Sequence, residues 1–109
     1  MTLMLKRMLE RLGYKVDARN SSIEALKAFR EQPERFDLVI TNLTIPDMTG
    51  LDLAKELHNV YSELPIIIIT GYGESITADI LEHYGINKII GKPIETQKLA
   101  VAIREVMDK

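Results

Sequence analysis

The sequence predicts a single α/β domain in which helices cover both faces of a parallel sheet. Three observations lead to this fold class. Helix-type and strand-type segments alternate along all 109 residues, with short connections between them. The clearest strand, residues 66–69, consists of four isoleucines and has no polar position, which indicates burial on both faces. The helical segments carry their apolar residues on one face, so that each helix can cover the sheet.

The first predicted helix spans residues 1–12. Its apolar residues recur at spacings of three and four, charged residues lie between them, and Gly13 can end the helix. Residues 14–18 alternate between apolar and polar, which predicts a short strand. The second helix is predicted to start at a capping box, because Ser21 and Glu24 can each bond the backbone N–H at the other position.

Similar signals place the elements in the middle of the chain. Residues 38–40 form a continuous apolar strand, and the helix after it is predicted to begin at a cap formed by Thr49 and Asp52. The isoleucine strand follows that helix. The next helix is predicted to have Ser75 as its N-cap and Gly85 as its C-terminal stop.

A brief strand at residues 88–90 and a helix from Thr96 complete the order αβαβαβαβα. A doubly wound sheet normally begins with a strand, whereas this chain begins with a helix. The predicted fold is therefore a doubly wound parallel sheet with the first strand missing.

The composition restricts the classes of function. The net charge is −2 and the basic residues are not concentrated, so this chain alone is not expected to bind nucleic acid. The absence of cysteine excludes disulfides, thiolate metal sites and thiol nucleophiles. The most apolar run, residues 64–70, is far shorter than the ~20 residues of a membrane-spanning helix. We therefore expect a cytoplasmic protein with no membrane partner.

Polar residues follow three of the predicted strands, and their positions suggest a site. Asn42, Thr70 and Lys92 each lie at or just after the carboxyl end of a strand. In open parallel sheets, ligands bind beyond these strand ends. Each residue by itself is typical of an ordinary loop or surface position, so the prediction of a site depends on all three together.

The segments around these three residues resemble those of response-regulator receiver domains. Residues 37–50 (DLVITNLTIPDMTG) resemble the phosphoacceptor loop of that family, residues 65–71 (PIIIITG) its fourth strand, and residues 91–93 (GKP) its lysine–proline turn. The resemblance covers residues 1–109 in the same order, so it implies one receiver-like domain with the flavodoxin-like receiver fold. The loops are also similar to those of receivers in hybrid histidine kinases.

The resemblance implies a role for each strand-end residue. Asn42 occupies the position of the aspartate that accepts a phosphoryl group from phosphohistidine. Thr70 matches the switch hydroxyl that binds a phosphoryl oxygen, and Lys92 matches the ammonium that neutralises phosphoryl charge. Three further positions have counterparts in the family. Thr44 matches a residue that binds magnesium through its backbone carbonyl, and Ile89 matches the switch aromatic. Pro93 matches a proline that follows a cis peptide bond.

Two departures from the family count against phosphorylation. The acidic pair after the family's first strand has no counterpart, because Met1 already lies in the first predicted helix. Magnesium, the family's cofactor, prefers carboxylate oxygens, so its site is expected to be impaired and no cofactor is expected. The amide of Asn42 is also a poor nucleophile compared with a carboxylate. The chain is either a naturally degenerate receiver or a fragment or engineered variant of a competent one.

The expected function is that of a signalling module in a two-component phosphorelay and not that of an enzyme. A histidine kinase, a phosphotransfer domain or a fused output domain is the expected partner. A missing central strand would leave facing rows of unpaired backbone groups, which favours a homodimer or a strand-exchanged assembly.

The alternative is a small flavodoxin-like α/β protein that binds a nucleotide or cofactor. The loop at residues 19–22 (RNSS) precedes a helix N-terminus that can hold an anion. That loop has no glycine, however, and no aromatic pair is available to hold an isoalloxazine ring.

Overall fold

A computed structural model describes residues 2–19, 21–43, 49–71, 77–91 and 94–107. These ranges contain five α-helices, a short 3-10 helix and three strands. In chain order the elements are α1 (Thr2–Arg11), α2 (Ser22–Glu31), the 3-10 helix (Pro33–Arg35), β1 (Val39–Asn42), α3 (Gly50–Val60), β2 (Ile66–Thr70), α4 (Ala78–Tyr84), β3 (Lys88–Gly91) and α5 (Thr96–Met107).

The three strands form one parallel sheet in the order β1-β2-β3. Asn42 lies opposite Ile69, and Thr70 lies opposite Gly91. Because all strands run in the same direction, their carboxyl ends lie along one edge of the sheet. The predicted class, a parallel α/β sheet covered by helices, is confirmed.

The central strand, β2, divides the core into two halves. All five of its residues are buried. Ile66 and Ile68 pack against side chains of α2 and α3, whereas Ile67 and Ile69 pack against side chains of α1 and α5. The apolar run was therefore interpreted correctly as a strand that is buried on both faces.

Side-chain caps define the starts of three helices. The Oγ of Ser21 accepts the N–H of Glu24 at 3.1 Å, and the Oγ1 of Thr49 accepts the N–H of Asp52 at 3.1 Å, so both predicted N-caps are confirmed. The N-cap of α4 is Thr77. The predicted cap at Ser75, which itself lies outside the described residues, was therefore two positions too early.

The prediction of a strand at residues 14–18 was wrong. Residues 14–19 have no regular secondary structure, and within the described ranges β1 is an edge strand with no neighbour on the side away from β2. An alternating sequence becomes a strand only when a ladder partner is present, which explains the difference. Contacts between side chains hold this segment instead. Val16 packs against the core half next to α1 and α5.

Ion pairs also fix residues 14–19. Two guanidinium nitrogens of Arg19 donate to the two carboxylate oxygens of Asp17, at 2.7 and 3.2 Å. Arg35 of the 3-10 helix lies 3.8 Å from the same carboxylate. The hydrogen bond from Arg19 lowers the pKa of Asp17 below its usual value of 3.8.

Candidate functional site

The candidate site lies along the carboxyl ends of the three strands. Asn42 ends β1, Thr70 ends β2 and Gly91 ends β3. Asn42 pairs with Ile69, which is the residue directly before Thr70 on the neighbouring strand. Two of the three residues on which the predicted site depends, Asn42 and Thr70, are thus brought next to each other by the sheet.

The side chain of Asn42 has an unusual environment. Its Oδ1 is fully buried, and no donor in the described part of the chain forms a hydrogen bond to it. A buried acceptor without a partner costs about 1–3 kcal/mol, so such atoms are rare in native structures and call for an explanation such as a functional site. The buried amide oxygen therefore marks the end of β1 as the centre of the candidate site.

The backbone of Asn42 is packed tightly by the start of α3. Its carbonyl oxygen accepts the hydroxyl of Thr41 at 3.1 Å. A Cβ added at Gly50 would overlap the same carbonyl oxygen and would lie 3.1 Å from Cδ1 of Ile68. The N–H of Gly50 also donates to the carbonyl of Leu43 at 2.7 Å. Gly50 is therefore required for α3 to approach the strand end.

Sequence reasoning missed the parts that Thr41 and Gly50 play in this packing. Gly50 could have been recognised from its position directly after the helix cap Thr49, because most helices have a residue with a side chain there. A glycine at such a position can indicate a close approach of two backbones. No comparable signal identified the hydroxyl of Thr41.

Two other predicted site residues occupy the neighbouring strands. Thr70 is 8% exposed at the end of β2 and so lies within the sheet and not on an open surface. Ile89 is half-buried in β3 and packs against the core half next to α2 and α3. The residue predicted to match the family's switch aromatic is therefore an aliphatic side chain within the sheet, and it offers no hydroxyl to a ligand.

Three predicted site residues lie outside the described residues. They are Thr44, Lys92 and Pro93. Their assignments as magnesium ligand, phosphoryl-contacting cation and cis-proline candidate remain predictions.

The described strand ends do not fit a dedicated magnesium site. They supply an amide oxygen from Asn42, hydroxyls from Thr41 and Thr70, and backbone atoms. Among the residues that the structure describes, no group of three or more His, Asp or Glu side chains can hold a metal ion. Magnesium binding in proteins usually depends on carboxylates, and these strand ends provide none.

Comparison with known proteins identifies the family of this chain. The family model for the response regulator receiver domain matches residues 1–104. The chain therefore belongs to the response regulator receiver domain family.

Individual relatives agree with this assignment. Sensor kinase CckA of Brucella abortus is 29% identical over 103 residues, which cover 94% of this chain and 11% of the relative. Two-component response regulator ORR22 of Oryza sativa is 36% identical over 95 residues, which cover 87% of this chain and 14% of the relative. The chain thus spans only a small part of the length of these relatives.

Solved structures resemble the fold closely. A response regulator receiver domain protein from Clostridium thermocellum superposes with a TM-score of 0.91 at 30% identity. The match covers 98% of this chain and 85% of that chain. The family assignment therefore favours a receiver over the cofactor-binding alternative considered from the sequence. In the described part of the chain, no helix is long and apolar enough to cross a membrane.

Proposed function

We propose that this chain is a receiver-type module of a two-component phosphorelay that does not accept a phosphoryl group at Asn42. The observation that carries the proposal is the neutral amide at the end of β1, whose Oδ1 is buried and accepts no hydrogen bond from any residue that the structure describes. A receiver in this state acts through the surfaces it presents to other proteins and not through a covalent intermediate.

The chemistry of the amide supports this proposal. In phosphoryl transfer from phosphohistidine, an oxygen of the acceptor bonds to phosphorus while the bond between phosphorus and the imidazole nitrogen breaks. A carboxylate can carry the phosphoryl group as an acyl phosphate. The oxygen of Asn42 has no negative charge, and its O-phosphorylated product would be an imidate that carries a positive charge until its nitrogen loses a proton. Asn42 is therefore a poor acceptor.

The surrounding groups give little compensation. Phosphoryl transfer depends on positioning and on stabilisation of the charge that develops on the oxygens. The described strand ends supply hydroxyls but no carboxylate that could hold magnesium. The remaining features of the family site are Thr70 and, outside the described residues, Lys92. These two residues can bind an anion, but they cannot replace the nucleophile.

The names of the relatives support a proposal about the partners. They are named as a sensor kinase and as a two-component response regulator, and this chain corresponds to 11% and 14% of their lengths. We infer that the partner is a histidine kinase, a phosphotransfer domain or an output domain in the same polypeptide, in the cytoplasm. No catalytic activity of its own is required for this function.

Intact-mass measurement after treatment with acetyl phosphate and Mg²⁺ tests the proposal. We expect the unaltered chain to show no added phosphoryl group. The Asn42→Asp variant supplies a carboxylate at the site, and Asn59→Asp supplies one at an exposed position of α3 as the matched control. Both variants are expected to stay largely unmodified, because the strand ends, as far as the structure describes them, still lack the acids that would hold magnesium. A stable phosphoryl group mapped to Asn42 in the unaltered chain would contradict the proposal.

A further inference from the structure

The peptide group that follows Asn42 is held in place by hydrogen bonds to two neighbouring elements. The N–H of Leu43 donates to the carbonyl of Ile69 at 2.9 Å, and the carbonyl of Leu43 accepts the N–H of Gly50 at 2.7 Å. Asn42 itself pairs with Ile69 in the parallel ladder. The amide side chain therefore precedes a residue whose backbone donor and acceptor are both bonded.

This arrangement bears on the reaction that converts asparagine to aspartate. In that reaction the backbone nitrogen of the next residue loses its proton and attacks the Cγ of the asparagine side chain. Ammonia leaves as a cyclic succinimide forms, and water then opens the ring to give aspartate or isoaspartate. For Asn42 the attacking nitrogen belongs to Leu43. The aspartate product would place a carboxylate at the phosphoacceptor position.

We propose that the fold keeps Asn42 in its amide form, and that aspartate forms there only when the end of β1 opens. The significance of this protection rests on the proposed function, in which the neutral amide prevents phosphorylation. Features of the described chain oppose the reaction at the attacking nitrogen, at the side-chain carbon and at the side-chain oxygen.

The attacking nitrogen and the side-chain carbon are kept apart while β1 is paired. The proton of the Leu43 nitrogen lies in the hydrogen bond to Ile69, so its removal would break that bond. Backbone amides in such bonds become reactive mainly through local opening of the structure. The side chain of a strand residue also projects out of the pleat and away from the backbone. The pairing of Asn42 with Ile69 fixes this extended geometry.

The side-chain oxygen of Asn42 is in an environment that opposes the reaction. When a nitrogen adds to Cγ, negative charge develops on Oδ1. Sites that favour such an oxyanion direct hydrogen-bond donors at it. The Oδ1 of Asn42 is fully buried and accepts no hydrogen bond from any residue that the structure describes. Charge that develops on a buried atom without donors is costly, so the unpaired oxygen makes the amide resistant to attack.

Direct hydrolysis of the amide by water meets a similar obstacle. It requires a group that can accept or donate a proton close to the amide. The neighbouring side chains at the described strand ends are the hydroxyls of Thr41 and Thr70, which are weak acids and weak bases. Succinimide formation after opening of β1 is therefore the favoured route.

Peptide mapping by mass spectrometry after incubation at mildly alkaline pH tests this inference, because alkaline conditions accelerate the loss of the amide proton. The folded chain is compared with the same chain unfolded in guanidinium chloride and with a synthetic peptide of residues 37–47. Aspartate and isoaspartate at position 42 are counted together. We expect Asn42 to convert at least about 100-fold more slowly in the folded chain than in the unfolded chain. The peptide should convert at about the rate of the unfolded chain.

Two controls establish the route of the reaction. A second peptide carries N-methylleucine at the position of Leu43, so it cannot form the succinimide, and its conversion measures direct hydrolysis. In the full chain, guanidinium chloride is raised in steps below the unfolding transition. The rate at Asn42 should increase along this series, because the denaturant increases the fraction of molecules in which β1 is open.

Two results would overturn the inference. Asn42 could convert in the folded chain within about tenfold of its rate in the unfolded chain. Alternatively, it could convert at a measurable rate that does not increase with denaturant below the transition, which would show that the closed strand end reacts. No phosphodonor is present in these measurements. Phosphorylation of Asn42 in the separate acetyl phosphate experiment would therefore refute the proposed function and leave the measured protection unchanged.

Discussion

Replacing Gly50 with alanine tests the close approach between α3 and the end of β1. In an unhindered helix this change is stabilising by about 0.4–1 kcal/mol, because alanine restricts the unfolded chain. Here the added methyl group would overlap the carbonyl oxygen of Asn42, which is backbone and cannot rotate away. It would also lie 3.1 Å from Cδ1 of Ile68, although that side chain has some freedom to move.

The magnitude follows from the contacts that must change. Overpacking of this kind costs about 1–3 kcal/mol. Moving α3 outward also lengthens the hydrogen bond from Gly50 to Leu43, now 2.7 Å, whose loss costs about 1 kcal/mol. After subtraction of the favourable backbone effect, Gly50→Ala should destabilise the chain by about 2 kcal/mol.

Urea denaturation followed by circular dichroism measures this change. With a slope of about 1–2 kcal/mol per molar urea, the midpoint should fall by about 1–2 M. Gly91→Ala is the matched control, because an added Cβ there has nothing within 4 Å. Its free energy of unfolding should stay within about 0.5 kcal/mol of that of the unaltered chain. If Gly50→Ala unfolds at the same urea concentration as Gly91→Ala, the close approach described here is wrong.

Two further predictions concern the helix cap and the ion pair. Ser21→Ala should destabilise the chain by about 1 kcal/mol, since the Oγ of Ser21 accepts the N–H of Glu24, and Ser62→Ala in an exposed turn should change the urea midpoint little. The pKa of Asp17 is lowered by Arg19, so its carboxylate contributes stability above the unfolded pKa and loses it as the pH falls through the folded pKa. At pH 7 the free energy of unfolding of the unaltered chain should therefore exceed that of Asp17→Asn by less than about 1 kcal/mol. Urea titrations should show a smaller difference between the two proteins below pH 3.8. A difference that stays the same below that pH would contradict this assignment.

Local signals in the sequence predicted most of the fold. The caps at Ser21 and Thr49 depend on residues three positions apart, and the isoleucine strand depends on a continuous run, so both can be recognised without tertiary information. The start of α4 was predicted less accurately, because Ser75 and Thr77 are both residue types that can cap a helix and the residue pattern does not decide between them. The alternation at residues 14–18 predicted a strand, but in the part of the chain that the structure describes no strand pairs with this segment.

The candidate site was predicted only in outline. The parallel order of the strands was sufficient to place Asn42 and Thr70 together, because both follow strands whose carboxyl ends share an edge. The buried state of the Asn42 oxygen and the overlap that any side chain at Gly50 would cause arise from the approach of α3. These features depend on tertiary packing, which the residue pattern does not contain.

The complete burial of β2 has a consequence for the behaviour of the unfolded chain. Residues 66–70 (IIIIT) combine high β propensity with the absence of charge and proline, which is the composition of segments that assemble into cross-β aggregates. Glu63 and Pro65 lie just before this segment and oppose such pairing. Folding hides all five residues between two layers of helices, so the native state itself protects the chain from aggregation, and the risk rises with the fraction of molecules that are unfolded.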